Sequence, residues 1–386
     1  MNENQKSKIK NQKLRTQNSE HTTQNPKVKT PFQIALSRLK KHKIALFGFW
    51  VLVILYLSAI LADFIAPYSF DNEQREDAYH PPTKIHWGKV NKRFCFYIYK
   101  YEQKFDEFYR RIYFEDKSKI YPIKFFYKGE SHKLLGIFRT NRHLFGVDEP
   151  ARIYLFGADS RGRDLFSRIL YGSRVSLSIG LIGVSISFLL GMFFGGIAGY
   201  FGGKIDNLIM RLCEIIMMVP GFYLMLTLRA TFPPNLSSVQ VYFLIVTILS
   251  FIGWAGLARV IRGMALPLRE KEFVLSARAS GVSHIKIIYR HILPNLFSYT
   301  IVAITLSIPG YILGESALSL IGLGIQDPYA SWGNLLSDAM AINEIQNHPW
   351  IIIPGFFIFI TVSAFNLLGD GLRDAFDPHR TQMGHR

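Results

Sequence analysis

The sequence is poor in cysteine, in acidic residues and, over long stretches, in charge of either sign. Its two cysteines, Cys95 and Cys213, supply neither a disulfide framework nor a metal-ligand cluster. Cys213 falls in or near an apolar run, so the pair says little about redox compartment. Neither a His-Glu-x-x-His nor a Gly-x-Ser-x-Gly stretch occurs, which removes two hydrolase signatures. A nucleotide-binding loop is missing too. Gly203-Lys204 comes nearest, but Ile205 stands where a hydroxyl residue is needed and the upstream glycine is absent. Any ATP hydrolysis must therefore come from another chain, and no catalytic residue, cofactor site or metal site is assigned. The 45 Lys and Arg against 28 Asp and Glu give a formal charge of +17. Much of it sits in an N-terminal tail and in a long hydrophilic insert flanked by apolar runs. That distribution argues against nucleic acid as the partner.

What is present is apolar length. Hydrophobic residues make up 49% of the 386 positions, with 31 Phe, too many for an ordinary water-soluble enzyme. They arrive in blocks rather than at the spacing of half-buried helices or strands. A helix crossing roughly 30 Å of hydrocarbon needs about 20 mostly uncharged residues. Segments 44–62, 175–203, 239–258, 292–314 and 348–369 meet that requirement, counting His348 neutral. A sixth, 208–228, is interrupted by Arg211 and Glu214. Backbone groups in lipid must be satisfied within the segment, so these runs are read as helices. The expected fold is an all-α polytopic membrane protein of about six transmembrane helices, with an extracytoplasmic mixed insert between the first and second.

Residues 1–43, rich in Lys, Gln, Asn and Thr, read as a disordered basic tail. Lys40, Lys41 and Lys43 abut the first span (44–66), which places the N-terminus in the cytoplasm by the positive-inside rule. The first apolar run is too long, and too far from the N-terminus, for a cleaved signal peptide, and reads as a retained anchor. Alternation then puts both termini inside. Segment 321–353 carries no Lys or Arg, as an outside loop should, whereas 259–290 carries seven and falls inside. The insert, 67–154, is basic yet assigned outside, which long loops permit. Aromatic and polar residues partly alternate from Arg93 to Tyr101, which suggests strands in a small domain. A lead-in (155–174), a five-helix core (175–372) with a cytoplasmic loop at 262–294, and a cytoplasmic tail (373–386) complete the organisation.

The loop holds the most informative motif. Glu272 to Ser280 are good helix formers, Gly281 offers a left-handed stop, and Ser283 can cap a second helix with Ile285, Ile288 and Ile292 on one face. Pro294 marks the start of the next span. Such a rigid, short element is suited to pass force between a soluble motor and the spans; an ordinary connection is the alternative. The run Glu272-Phe273-Val274-Leu275-Ser276-Ala277-Arg278-Ala279-Ser280-Gly281, ending at Leu293-Pro294-Asn295, resembles the EAA loop of ABC-importer permeases. Ala277, Gly281, Leu293 and Pro294 fall on that pattern. Leu275 and Ser276 replace its acidic and first alanine positions, with Glu272 three residues earlier on the same helix face. The resemblance implies that Glu272, Phe273, Ala277, Arg278, Ala279, Gly281, Leu293 and Pro294 couple the chain to an ATPase.

Further stretches narrow the family. Gly157-Ala158-Asp159-Ser160-Arg161-Gly162-Arg163-Asp164, Tyr200-Phe201-Gly202-Gly203 with Asp206 and Arg211, Gly314-Glu315-Ser316-Ala317, Ser331-Trp332-Gly333 and Asn366-Leu367-Leu368-Gly369-Asp370 occur in order. Together they resemble the second permease of dipeptide and oligopeptide importers, a subfamily that also includes nickel and glutathione systems. The resemblance implies the type I ABC importer permease fold in a bacterial inner membrane. It also implies a second homologous permease subunit, two ATP-binding subunits and an extracytoplasmic peptide-binding protein, alongside membrane lipids.

The same residues allow readings of their own. Segment 164–170 has apolar i,i+4 pairs and an Asp164–Arg168 pair, fitting an amphipathic helix on the outer membrane face. Gly191, Gly195, Gly196 and Gly199 suggest close helix packing. Glu315, near the end of a span, is a candidate for the pathway or its gate. Glu214 is another, with an ion pair to Arg211 as the default. The function expected is a peptide-importer permease. A permease for nickel or another small solute, a receptor or scaffold built on the insert, and a membrane-embedded enzyme using Glu214 or Glu315 are the alternatives.

Overall fold

Long apolar runs become helices because hydrocarbon offers backbone N–H and C=O groups no water to bond. The computed structural model describes residues 31–377 apart from 91–92, 108–109, 135–136 and 234. Helix α1 (Pro31–Leu39) precedes α2 (Lys43–Ile60) and the single turn α3 (Ala62–Ile65). Beyond the insert follow α4 (Leu165–Phe201), α5 (Gly203–Met218), α6 (Gly221–Ala230) and α7 (Ser238–Leu268). Next come α8 (Glu272–Ala279) and α9 (His284–Ile287), the latter passing through a π-helical turn, Ile288–Ile292, into α10 (Leu293–Leu320). Two short helices, α11 (Trp332–Leu335) and α12 (Ile342–Asn347), lead to α13 (Ile353–Phe376).

Among the described residues, five segments are long and apolar enough to cross a bilayer: Lys43–Ile60, Leu165–Phe201, Ser238–Leu268, His284–Leu320 and Pro349–Phe376. The pair α5 and α6 makes a sixth, bent by 85°. The bend has a local cause. Pro220 has no N–H to continue the helix, and it forces Val219 into extended backbone with ψ of 127°. In an 18-residue apolar stretch of each straight span, between 28% and 44% is buried within the chain, which leaves broad faces for lipid and other subunits.

The centre of the bundle is α4 against α7. A Cβ on Gly195 would lie 2.5 Å from the Ala258 carbonyl oxygen, and one on Gly199 2.6 Å from the Ala265 Cβ. The glycine stripe thus brings the two backbones together, as its spacing suggests. A second core surrounds the fully buried Trp332, packed among Leu165, Ile169, Leu177, Ile308 and Phe365. Its indole N–H donates to the Ile169 carbonyl at 3.1 Å.

The insert is built from antiparallel strands: β1 (His86–Val90), β2 (Arg93–Phe105) and β3 (Arg111–Pro122) form one sheet in that order. The alternating stretch from Arg93 to Tyr101 lies in β2. Two small ladders follow, β4 (Lys124–Phe125) with β7 (Phe145–Gly146), and β5 (Lys128–Leu134) with β6 (Phe138–Arg142). Ile98, Tyr121, Val147, Ala151 and Ile153 form its small core.

Four expectations change. The last part of the tail read as disordered is α1. Its Ala35 is buried and Arg38 donates to the Asp377 carbonyl at 3.0 Å, so docking on α13 overrides a composition too polar to fold alone. Residues 1–30 and 378–386 lie outside the described residues. Segment 164–170 is not a separate surface helix. It is the N-terminus of α4, with Leu165, Arg168 and Ile169 all buried. Asp164 does not pair with Arg168; it caps α4 by accepting from the Ser167 N–H at 2.8 Å. Ile285 is 75% exposed, and the packed face of α9 and the π-helical turn is Ile287, Ile288 and Ile292 instead. The π-turn adds a residue per turn and rotates the face away from a 3.6-residue count.

Candidate coupling surface and membrane cavity

Helix α8 is short and stands apart from the spans, so what holds it decides its use. Its apolar positions are split. Val274 is fully buried against Ile287, Ile288, Ile292 and Tyr200, whereas Phe273 and Leu275 are more than 40% exposed. Glu272 lies in the first turn and Arg278 in the last, each complementing the helix dipole. Gly281, at φ +74°, closes the helix: its N–H donates to the Arg278 carbonyl and the Val282 N–H to that of Ala277. The Arg278 guanidinium of α8 sits 5.4 Å from the Tyr200 ring of α4, and the Tyr200 hydroxyl lies 2.7 Å from Nδ1 of His284 on α9.

The predicted coupling residues therefore divide. Glu272, Phe273, Arg278 and Ala279 are exposed, Ala277 is half-buried, and Gly281 shapes the end. Leu293 and Pro294 belong to the start of α10, where Leu293 packs on Gly196. The anchor Val274 and the Tyr200–His284 bond were not singled out from sequence. Neither has a local signal, because their partners lie far along the chain.

A cavity of about 580 Å³ opens between α4, α6, α7 and α10. Its wall is apolar except at Ser187 and Ser307 and the phenol of Tyr311. Tyr311 is seated by two glycines: a Cβ on Gly253 would overlap its hydroxyl and one on Gly183 would lie 2.7 Å from its ring. The hydroxyl bonds Ser187, which donates to the Ser250 carbonyl at 2.9 Å.

Neither predicted carboxylate lines this cavity. Glu315 is fully buried in a collar of hydroxyls, with Ser319 Oγ at 2.6 Å, Ser176 Oγ at 3.0 Å and Ser316 Oγ at 3.4 Å. Ser176 also receives the Trp332 N–H at 3.1 Å, so Glu315 ties α4, α10 and α11 together. Glu214 pairs with Arg211 at 2.9 Å and Arg259 at 3.4 Å on the surface. Asp206 pairs with Arg262, not with Arg211.

The Gly157-to-Asp164 motif resolves into an ionic cluster at the other end of the bundle from α8. Arg163 donates to Asp159 at 2.8 Å and to Asp327 at 2.8 Å, and Arg168 donates to Asp327 at 2.9 Å. Burial opposes ionisation of Asp327, but the bonds from Arg163 and Arg168 win and hold its carboxyl below the ordinary value. Among the described residues no cluster of His, Cys, Asp and Glu fit to hold a metal occurs.

Residues 191–382 match the family model of the binding-protein-dependent transport system inner membrane component, and 30–82 match the N-terminal TM domain of oligopeptide transport permease C. The dipeptide transport system permease protein DppC of Bacillus subtilis (strain 168) is 32% identical over 347 residues, covering 90% of this chain and 85% of that protein. The chain belongs to this permease family. The oligopeptide transport system permease protein OppC of Haemophilus influenzae is 45% identical over 226 residues, 58% of this chain and 70% of that one. Among solved structures, a chain of the MetNI methionine ABC transporter in inward-facing conformations aligns with 54% of this chain and 96% of its own, at a TM-score of 0.43 and 15% identity. As an inner membrane permease component, the protein works with other ABC subunits and is not itself the catalytic ATPase. The β insert lies largely outside both family matches, which leave residues 83–190 uncovered.

Proposed function

We propose that this permease moves peptides inward through a path it lines with a second homologous permease. Two ATP-binding subunits drive the cycle through α8, and an extracytoplasmic binding protein delivers the substrate. In this reading both termini are cytoplasmic and the β insert is extracytoplasmic. One observation carries it: α8 is held to the spans by Val274 and by Arg278 over the Tyr200 ring, and the following α9 by the Tyr200–His284 bond, while Glu272, Phe273 and Leu275 of α8 are exposed. A rigid stem with an open, partly apolar face transmits a push from a bound motor instead of absorbing it, and such a push biases a two-state equilibrium of the spans. The peptide substrate is supported by the names of the relatives that align along the chain.

The test is a reconstituted complete transporter in proteoliposomes carrying Ala277→Glu. ATP hydrolysis is expected to persist while uptake of labelled di- and oligopeptides falls to background. Unchanged uptake would sink the coupling role. Wild-type vesicles that take up nickel ions but no peptide would sink the substrate assignment while leaving the permease in place.

A further inference from the structure

The ionic cluster at the end of the bundle away from α8 encloses space as well as charge. A pocket of about 480 Å³ opens there between the loop before α4, the loop after α10 and the segment that begins with α11. That is the size of a small-molecule site. Arg161, Arg163 and Arg168 line it together with Asp159, Asp327 and Asp338, so it presents both signs of charge. Ile325 and Leu335 add an apolar patch.

The bonds among these groups leave donors and an acceptor unused. The three guanidinium groups share two of the pocket's carboxylates: Asp159 and Asp327 accept from Arg163, Asp327 accepts from Arg168, and Arg161 lies 3.3 Å from Asp327. Arg168 is 2% exposed, yet its Nε and Nη1 have no hydrogen-bond partner; Asp159, 3.5 Å from Nη1, attracts it without bonding. A buried charged donor left without an acceptor is costly. Arg161 also reaches Glu73 at 3.2 Å, but half of its side chain stays open to solvent. The third carboxylate has the opposite deficit. Asp338 accepts the Ser160 N–H at a long 3.3 Å, and among the described residues it has no ion-pair partner. Ser160 is the chain neighbour of Arg161, so the unused acceptor and the open guanidinium share one rim without pairing.

We propose that this pocket is a subsite for a short peptide with both termini free, its carboxylate held by the arginines and its ammonium by Asp338. Three carboxylates repel a simple anion and three guanidinium groups repel a simple cation, whereas a zwitterion meets both deficits and brings no net charge. Hydrogen bonds between ionised groups are the strong ones, and a carboxylate matches the planar guanidinium fork. The inference rests on the peptide-transport reading, to which it adds a holding point at the end of the bundle away from α8.

The test is ligand-observed saturation-transfer NMR on the complete transporter in nanodiscs, without nucleotide or binding protein. The ligands are Ala-Ala, its N-acetyl derivative and its C-terminal amide. Ala-Ala is expected to bind saturably and each capped form about tenfold more weakly, the scale of one lost charge-assisted bond. Asp338→Asn should weaken Ala-Ala by a similar factor and leave N-acetyl-Ala-Ala unchanged, because that ligand has no ammonium to lose. Arg161→Gln should weaken Ala-Ala and leave the amide unchanged. This crossing of ligand group with side chain locates the site, and the capped ligands on the wild type need no variant to fold. No saturable binding of Ala-Ala, capped forms that bind equally well, or affinity indifferent to both variants overturns the subsite. Uptake of Ala-Ala into proteoliposomes with the binding protein present separates the two failures. Uptake without binding sinks the subsite alone, whereas absence of peptide uptake removes the transport reading and the subsite with it.

Discussion

Asp164 caps α4 from a fully enclosed position, accepting from the Ser167 N–H and hydroxyl through one oxygen. Burial outweighs these bonds and raises its pKa to about 6 from 3.8. The folded chain therefore holds a proton there that the unfolded chain releases at lower pH. This contribution to stability is full below about pH 4 and is lost as pH rises through 6. Asn keeps the capping oxygen without titrating. Asp164→Asn should thus gain on the wild type between pH 4 and pH 7 in thermal unfolding of the detergent-solubilised protein, whatever constant offset the amide brings. A difference independent of pH would mean that Asp164 is solvated in the folded protein. The same residue marks a limit of sequence reading. Arg168 stands at i+4 and invites an ion pair, yet its partners, Asp159 and Asp327, come from loops that only the fold brings together. Glu315 is the same kind of case. Its charge near a span end is conspicuous in sequence, but the hydroxyl collar that makes it a structural tie includes Ser176, 139 positions away.

At the scale of elements, the helices and the glycine seam are legible because each depends on local composition. Apolar length alone yields the spans, and Gly191, Gly195 and Gly199 recur at the spacing that brings helices close. Gly195→Val would drive a branched side chain onto the α7 backbone at Ala258. Overpacking of this kind costs about 1–3 kcal/mol, so a lower Tm in detergent is expected. Gly263→Ala on α7, where a Cβ meets nothing within 4 Å, should leave Tm unchanged or higher. Equal losses from both would remove the seam as the cause. The turn from α8 to α9 was only half legible. The helix, its Gly281 stop and its place before the next span follow from residue types, but the turned-out Ile285 follows from a π-turn that no residue type announces. The bend between α5 and α6 was written in Pro220. Reading the run as one span passed over the restriction that a proline places on the residue before it.

At the scale of the whole molecule, the chain has two unlike ends. The insert and the loop after α10 share one: the Trp350 indole N–H donates to the Ala158 carbonyl at 3.0 Å and the Tyr79 ring stacks on His348 at 4.2 Å. Helix α1, docked on the last turn of α13, belongs to the other end, as do α8 and α9, which follow α7 after it has crossed. Charge sorts with this division in the short segments, since 321–353 has no Lys or Arg and 259–290 has seven. The positive-inside rule acts on such short loops, so it assigns the second end to the cytoplasm although the insert is itself basic. Single cysteines in a Cys95→Ser, Cys213→Ser background can check this in intact spheroplasts with a membrane-impermeant maleimide. Positions Glu149 and Asn343 should label from outside, whereas Lys41 and Lys286 should label only after permeabilisation. The reverse pattern at all four sites would keep the fold and invert the topology, and with it the direction of transport. Labelling of Glu149 without Asn343 would be more damaging, because the two positions share one end of the molecule and no orientation of this fold can separate them.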